Sequence, residues 1–251
     1  MLKLTDAHCH LQMPQYDADR AEVLARMKEA GMGAIVVGTD HDMSKAAIAL
    51  AGEHSFLWAS VGSHPNHTEE FDISKFQDLA QQPKVVAVGE CGLDYFRSEK
   101  ENQAEKFEAH IDLARRLGKA LIVHCREAHD DMLATLAQGL PLGREMPVVI
   151  HFFTGTAELA QKYLDLGCYL SFPGPVTFTD MYDESIRLCP MERMLIETDA
   201  PFAAPAPYRG KRNEPVYVAE VARKIATVKG VEVGEVTHQT MLNFKKVFGI
   251  A

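Results

Sequence analysis

Residues 21–38 read AEVLARMKEAGMGAIVVG, and this stretch contains the pattern that decides the fold. Its first half spaces apolar residues at the period of an α-helix and ends in Gly31, a residue that suits the C-terminal cap of a helix. Its second half, from Ala34 onward, is a short apolar run rich in β-branched residues, as expected for a strand buried on both faces. The stretch therefore predicts one helix followed by one strand.

The same unit recurs along the chain. Short apolar runs separated by amphipathic segments occupy residues 2–7, 34–38, 56–61, 85–89, 120–123, 148–150, 169–172 and 194–196. Strands that alternate with helices predict parallel βαβ units. Eight units in 251 residues predict an α/β fold, a (β/α)8 TIM barrel that forms one domain over residues 1–251. An open doubly wound sheet is the alternative, although no GxGxxG or GxxxxGK[ST] motif follows an early strand.

The composition is that of an ordinary globular protein, with 47% hydrophobic and 24% charged residues. No apolar run reaches the roughly 18 residues that a membrane span requires. No basic region followed by an apolar stretch marks a secretory signal. The five cysteines are widely spaced and form no CxxC pair. These features predict reduced thiols in a cytoplasmic protein.

The net charge and a local basic segment point to different conclusions about binding of nucleic acid. A net charge of −9, from 26 basic and 35 acidic residues, argues against a surface that coats nucleic acid. A local basic site is nevertheless compatible with it. Arg209, Lys211 and Arg212 lie within four residues after the last predicted strand. They are candidate contacts to a phosphate backbone, and a solvated charged turn is the alternative interpretation.

Side chains that bind metals follow five of the eight predicted strands. They are His8, His10, Glu90, His124, His151 and Asp199. A TIM barrel carries its catalytic residues at the C-terminal ends of its strands. Residues two apart on a strand share a face, so His8 and His10 are expected to point together into the barrel mouth, with Cys9 turned towards the helices. The same alternation is expected to turn Cys91 and Cys125 away from the mouth.

This set of nitrogen and oxygen donors predicts a divalent-metal centre. Zinc, manganese or a related ion suits it, and magnesium suits it if carboxylates and water dominate the coordination. Each residue alone has a structural explanation; Asp199, for example, precedes Pro201 and can organise a turn. Their joint occurrence at strand ends favours the metal site. His64, in the segment GSHPN, is a further candidate as an outer ligand, a substrate contact or a loop residue.

Seven segments of the chain resemble the TatD-type family of metal-dependent hydrolases, within the amidohydrolase-like barrels. They are DAHCHL, VGSHP, GECGLDY, VHCREA, HFFTG, LIETDAP and RGKRNEP, in family order and over nearly the whole chain. The resemblance implies a (β/α)8 barrel with a divalent-metal centre, commonly dinuclear, and deoxyribonuclease activity on phosphodiesters. It implies one metal bound by His8, His10 and Asp199, a second bound by His124 and His151, and a bridging Glu90.

The chain departs from the family pattern at positions that carry no presumed ligand. Asn66 stands where the family often has a second histidine, Phe152 where it often has cysteine, and Cys91 where it often has isoleucine. The first departure bears on the loop that contains His64, and hence on the choice of substrate.

Three functions are compatible with these residues. The first is a phosphodiesterase that acts on DNA through a metal-activated water, with Asp199 and Glu90 as catalytic residues and Arg126 as a phosphate contact. The second is a hydrolase of a small amide, ester or lactone. The third is a non-catalytic module that binds metal or nucleic acid. The basic segment favours the first function, and the full donor set with a candidate proton acceptor argues against the third. No membrane partner is expected, and the sequence does not set the oligomeric state.

Overall fold

The computed structural model describes residues 2–67, 71–97, 102–139 and 146–251. Within them, parallel strands lie side by side in consecutive chain order. The strands are β1 (Leu4–Cys9), β2 (Met32–Val37), β3 (Leu57–Val61), β4 (Val85–Asp94), β5 (Ala120–Arg126), β6 (Val148–Ile150), β7 (Tyr169–Phe172) and β8 (Met194–Ile196). The helices are α1 (Arg20–Glu29), α2 (His41–Glu53), α3 (Ser74–Ala80), α4 (Gln103–Leu117), α5 (His129–Gly139), α6 (Ala157–Asp165), α7 (Asp183–Leu188), α8 (Val218–Lys229) and α9 (Val233–Phe248).

The predicted alternation of strands and helices is confirmed, and the doubly wound alternative is wrong. The last three strands begin and end where the sequence pattern places them. Gly31 and Gly118 adopt left-handed backbone after α1 and α4, with φ of 63° and 61°, as predicted for helix caps. Three strands run further than their apolar cores: β1 continues to Cys9, β4 to Asp94 and β5 to Arg126. His8, Glu90 and His124 are therefore part of strands, whereas the other three predicted ligands follow the ends of β1, β6 and β8.

The barrel closes through hydrogen bonds beyond the end of β8. The N–H of His10 donates to the Ala200 carbonyl oxygen at 2.7 Å, and the N–H of Asp199 donates to the His8 carbonyl oxygen at 2.9 Å. The buried carboxylate of Asp6 accepts the N–H of Thr198 at 2.9 Å and its hydroxyl at 2.5 Å. These bonds hold the first and last strands together at the end where the predicted metal ligands lie.

Two apolar clusters stabilise the barrel. One fills its interior and contains Ala7, Ile35, Val37, Ala87, Ala120, Ile122, Val149, Tyr169 and Leu195 from the strands, with Phe244, Val247 and Phe248 from α9. The other lies between the strands and the surrounding helices. The side chain of Asn243 donates to the carbonyl oxygens of Met191 and Met194, each at 2.7 Å, at the N-terminal end of β8. Helix α9 thus covers the N-terminal end of the barrel, and the C-terminal end stays open.

Two bulges re-aim the side chains at that open end. Four residues of β1, from Asp6 to Cys9, oppose three residues of β2, and β4 shows the same one-residue shift between Val88 and Cys91. A β-bulge of this kind redirects neighbouring side chains. Because of it, His8 faces inward although the adjacent Ala7 already packs in the barrel interior.

Glycines permit the bulge in β4. Gly89 and Gly92 flank the segment with φ of 126° and 140°, a region that residues with a side chain rarely adopt. A Cβ on Gly89 would collide with the carbonyl oxygen of Ile122, and a Cβ on Gly92 with that of His124. The segment GECG therefore brings β4 close to β5 and places Glu90 at the opening.

The part of the chain that the structure describes contains no helix with the length and apolar content needed to cross a bilayer.

Candidate metal centre

The six residues predicted as ligands lie together at the C-terminal end of the barrel, in two groups. In the first group, Nε2 of His10 lies 3.2 Å from Nε2 of His8 and 3.3 Å from Oδ1 of Asp199. In the second group, Nδ1 of His124 lies 3.4 Å from Nε2 of His151.

Glu90 lies between the two groups. Its Oε2 is 3.3 Å from Nε2 of His8, and its Oε1 is 2.9 Å from Nδ1 of His124 and 3.0 Å from Nε2 of His151. One carboxylate thus offers one oxygen to each group.

The outer nitrogens of three rings face groups that only accept hydrogen bonds. Nδ1 of His10 lies 2.8 Å from the Val37 carbonyl oxygen. Nε2 of His124 lies 3.1 Å from Oδ2 of Asp94, and Nδ1 of His151 lies 3.1 Å from Oε1 of Glu197. With a metal ion bound, each of these nitrogens would keep the ring proton, and the other nitrogen of each ring would direct a lone pair at the ion.

The inner nitrogens of these rings lie close enough to bind a common ion. Nδ1 of His124 lies 3.4 Å from Nε2 of His151, and both nitrogens also face Oε1 of Glu90. Sets of three donors lie within 4.8 Å of one another, among them His8, His10 and Asp199. The donors are imidazole nitrogens and carboxylate oxygens without a thiolate. This chemistry fits a divalent cation such as zinc or manganese.

The electrostatics of the centre keep the carboxylates charged. Burial alone would raise the pKa of Glu90, but His151, His64 and His124 together hold that pKa well below its usual range. Burial likewise opposes ionisation of Asp199, and the hydrogen bond and charge of His10 outweigh it, so the pKa of Asp199 is lowered. Two ionised carboxylates among buried imidazoles are the form in which these residues bind a cation.

His64 differs from the other histidines of the centre. Its Nδ1 accepts the backbone N–H of Asn66 at 3.1 Å, so its proton lies on Nε2, which is 3.3 Å from Oε1 of Glu90. A nitrogen that carries a proton is a hydrogen-bond donor and not a metal ligand. Of the roles open to His64 in the sequence, this tautomer favours a contact to Glu90 or to substrate over that of a ligand.

A cleft of about 530 Å³ opens above the donors. Glu90, His124, His151 and Asp199 lie at its base, and Arg126 lines it as predicted. The guanidinium of Arg126 stacks on the ring of Phe96, 3.9 Å from its centroid. Cys9 and Cys91 belong to the outer apolar cluster, as expected. Cys125 packs against the same cluster, with its Sγ 3.3 Å from Nδ1 of His129 on α5 and 3.5 Å from the hydroxyl of Tyr163 on α6, and the residue also borders the cleft.

The basic segment after β8 divides into two parts. Arg209 and Lys211 are exposed, and Arg209 stacks on Phe178 with 4.4 Å between guanidinium and ring centroid. Arg212 instead binds both carboxylate oxygens of Asp19, at 2.7 and 2.6 Å. These two bonds occupy the fork of the guanidinium, which favours a structural role for Arg212 over the predicted contact to a substrate phosphate.

Several residues near the donors were not among the predicted site residues, and four of them bear on the chemistry of the centre or its cleft. Asp94 and Glu197 contact the outer nitrogens of His124 and His151, and Arg97 and Phe202 line the cleft. The two carboxylates lie at predicted strand ends, in GECGLDY and ETDAP, and this position could have identified them as site residues from the sequence. Nothing in a single sequence marks Arg97 or Phe202, because their place in the cleft depends on loop conformation.

The fold and the site define a class: a (β/α)8 barrel with a histidine and carboxylate centre at the open end of its strands. A family model described as TatD related DNase matches residues 5–249. The chain therefore belongs to the TatD-related DNase family, as its sequence segments indicated.

Relatives and a solved structure agree with this membership. The chain is 40% identical to the uncharacterized metal-dependent hydrolase YabD of Bacillus subtilis (strain 168), over 98% of this chain and 99% of that protein. It is 34% identical to the 3'-5' ssDNA/RNA exonuclease TatD of Erwinia tasmaniensis, over 98% of this chain and 99% of that protein. The crystal structure of YJJV, a TatD homologue from Escherichia coli K12, superposes with a TM-score of 0.91 at 28% identity, over 99% of both chains.

Proposed function

We propose that this chain is a divalent-metal-dependent phosphodiesterase that hydrolyses nucleic acid, most directly DNA. The observation that carries the proposal is the position of Glu90 between two groups of imidazoles, below a cleft that Arg126 lines. Membership of the TatD-related DNase family and the 34% identity to a 3'-5' ssDNA/RNA exonuclease support it.

The donors support two metal ions. We assign His8, His10 and Asp199 to one ion, His124 and His151 to the other, and Glu90 to both. A bound divalent ion lowers the pKa of water to near neutrality and stabilises charge on phosphoryl oxygens. Zinc, manganese and magnesium are the candidate ions, since the donors are nitrogen and oxygen.

The chain's own residues supply the remaining chemistry. The carboxylate of Asp199 is ionised and borders the cleft, so it is the residue that we assign as proton acceptor for the attacking water. Glu90 holds the two groups of ligands in register. Asp94 and Glu197 hold the rings of His124 and His151, so that their lone pairs stay directed at the centre.

Arginine and lysine side chains, together with the ring N–H of His64, position the substrate. Arg126 presents a planar guanidinium that matches the oxygens of a phosphate, and its stacking on Phe96 limits the conformations it can adopt. His64 carries its proton on Nε2 and is a donor to Glu90 or to a substrate oxygen. We retain Arg209 and Lys211 as contacts for a longer strand, because both are exposed after β8.

A substrate panel tests the proposal. The purified protein, stripped of metal and then loaded with one divalent ion at a time, is offered a small phosphodiester, a single-stranded oligonucleotide, a lactone and an amide. Turnover of both phosphodiesters under excess substrate is the expected result. Turnover of only the lactone or the amide would assign the barrel to the second function considered from the sequence. Stoichiometric binding without turnover would make it a binding module.

A further inference from the structure

Phe202 is a large aromatic side chain beside the donors that is only partly buried. It follows β8, it lines the cleft and it is 46% exposed. Its ring meets the ring of His10 edge-on, with 6.1 Å between centroids and 65° between planes. Scattered exposed apolar residues are ordinary on protein surfaces, but an aromatic ring in contact with a ligand-type histidine lies where a substrate must pass.

The backbone of Phe202 is firmly held. Its N–H donates to the carbonyl oxygen of Asp199 at 2.9 Å. Its carbonyl oxygen accepts the side-chain amide of Asn213 at 2.7 Å, and Asn213 is fully buried and also donates to Thr198 at 2.9 Å. The backbone that carries the ring is thereby tied to Asp199, the proposed proton acceptor. A substrate that binds the ring therefore has only the side chain to order and not the backbone.

The opposite wall of the cleft carries positive charge. In a barrel with eight strands in consecutive order, the segments after β4 and β5 face the segment after β8. Arg97 and Arg126 line the cleft on that side. The backbone at Arg97 is also held, because the N–H groups of Phe96 and Arg97 each donate to Oδ1 of Asp94 at 3.0 Å.

We infer that Phe202 is a platform on which a nucleobase of a single-stranded substrate stacks, while Arg97 and Arg126 hold a neighbouring phosphate on the opposite wall. The inference rests on the proposed function and narrows it. Single-strand binding sites combine aromatic rings for the bases with cations for the backbone. A base inside a duplex is already stacked on both faces, whereas an unpaired base offers a free face to the ring. The platform therefore selects single strands or frayed ends.

The test couples a change in the protein to a change in the substrate. The parent and Phe202→Ala are compared on a short oligodeoxynucleotide, intact or with one abasic residue placed in turn at each of the terminal positions. Stacking on an aromatic side chain changes affinity by roughly 5- to 150-fold. Phe202→Ala is therefore expected to raise KM on the intact strand by about 10-fold, with a smaller change in kcat. At the stacked position the abasic residue is expected to raise the parent's KM similarly and to add little in the variant.

Two further variants separate stacking from structural damage. Phe202→Trp keeps an aromatic face and is expected to restore the parent's KM. Leu242→Ala, which removes an apolar side chain that is 44% exposed on α9 at the other end of the barrel, is expected to change neither KM nor its response to the abasic residue.

Different results would contradict the stacking platform and the proposed function. A KM of Phe202→Ala equal to that of the parent, or losses that add fully at every abasic position, would overturn the platform. In both cases hydrolysis of phosphodiesters by the parent would stand. A parent that hydrolyses no phosphodiester with any divalent ion would remove the proposed function itself, and the platform with it.

Discussion

The two ends of this barrel are built from the same strands, but one end is apolar and filled and the other is polar and open. At the closed end, Phe244, Val247 and Phe248 of α9 fill the interior between apolar strand residues. At the open end, buried imidazoles and carboxylates face one another, and Nδ1 of His8 has no hydrogen-bond partner among the described residues. Burying polar groups without partners costs free energy, whereas burying apolar side chains such as those of α9 stabilises a fold. Apolar burial at the closed end therefore stabilises the fold, whereas the polar groups gathered at the open end for function lower its stability.

Removal of the metal is expected to have the largest effect, and only at the open end. Exhaustive chelation should reduce phosphodiester hydrolysis to background, and a divalent ion should restore it, because activation of water is the task of the ion. The far-UV circular dichroism should stay that of the loaded protein, since the apolar interior of the barrel needs no ion. Full activity of a sample shown by elemental analysis to be metal-free would contradict the assignment of the centre.

Asp199→Asn sharpens the comparison within the open end. The amide keeps the shape of the side chain but cannot accept a proton as a carboxylate does, and general-base losses are typically about 10²- to 10⁴-fold. We expect kcat to fall by such a factor at saturating metal, with KM changed by far less. Steady-state kinetics at several metal concentrations measure both. A kcat within about threefold of the parent, well inside that range, would free Asp199 from the proton-transfer role.

Phe244→Ala probes the closed end. Phe244 is fully buried and meets Trp58 at a centroid distance of 5.9 Å, and truncating such a ring typically costs about 3–5 kcal/mol of unfolding free energy. Denaturant unfolding should show this loss, while metal affinity and kcat of the folded variant remain those of the parent. The exposed neighbour on the same helix, in Leu242→Ala, should change stability by less than about 0.5 kcal/mol. A loss of metal affinity in Phe244→Ala would show that the two ends are coupled.

Glu197→Gln tests the support beneath a ligand. Oε1 of Glu197 receives both the ring proton of His151 and the backbone N–H of Phe152, at 3.1 and 2.7 Å. Replacing such a carboxylate typically weakens metal binding by about 10- to 100-fold. Competition with a chelator of known affinity measures the change. Glu158→Gln, at an exposed carboxylate on α6, is the matched control, and equal affinities in the two variants would argue against the supporting role.

A pH effect on stability is expected to be the smallest of these changes. His110 of α4 accepts the backbone N–H of Ser63 at 3.1 Å, which holds the segment after β3 at the open end. Burial lowers the pKa of His110 from 6.5 to about 4, so the unfolded chain binds this proton between those values and the folded chain does not. Its contribution is therefore complete above pH 6.5 and is lost as the pH falls towards 4.

Denaturant unfolding at a series of pH values measures this contribution. Between pH 7 and pH 5 the linkage predicts a loss of about 2 kcal/mol from this one group. His110→Gln, which cannot titrate, should be less stable than the parent at neutral pH and should lack this part of the pH dependence. An identical pH slope in the variant would mean that His110 does not titrate as its buried position requires.

The sequence determined by itself the eight strands, their parallel order and the six donor residues. Local patterns are sufficient for this, because apolar runs and helix periods are properties of neighbouring residues, and parallel strands necessarily bring their C-terminal ends to one face. It also carried the seven segments by which the family could be named.

Only the tertiary structure decided which way these residues face and what each of them contacts. The bulge in β1 turns His8 inward beside Ala7, and it depends on the pairing with β2. Arg212 binds Asp19, which lies 193 residues away in the chain. This contact separates Arg212 from Arg209 and Lys211, although the three look alike in the sequence. Glu197 reaches His151 across 46 residues, and Phe202 reaches the cleft because Asn213 holds its carbonyl oxygen. Contacts between residues far apart in the chain depend on the closed barrel, and for that reason no local pattern records them.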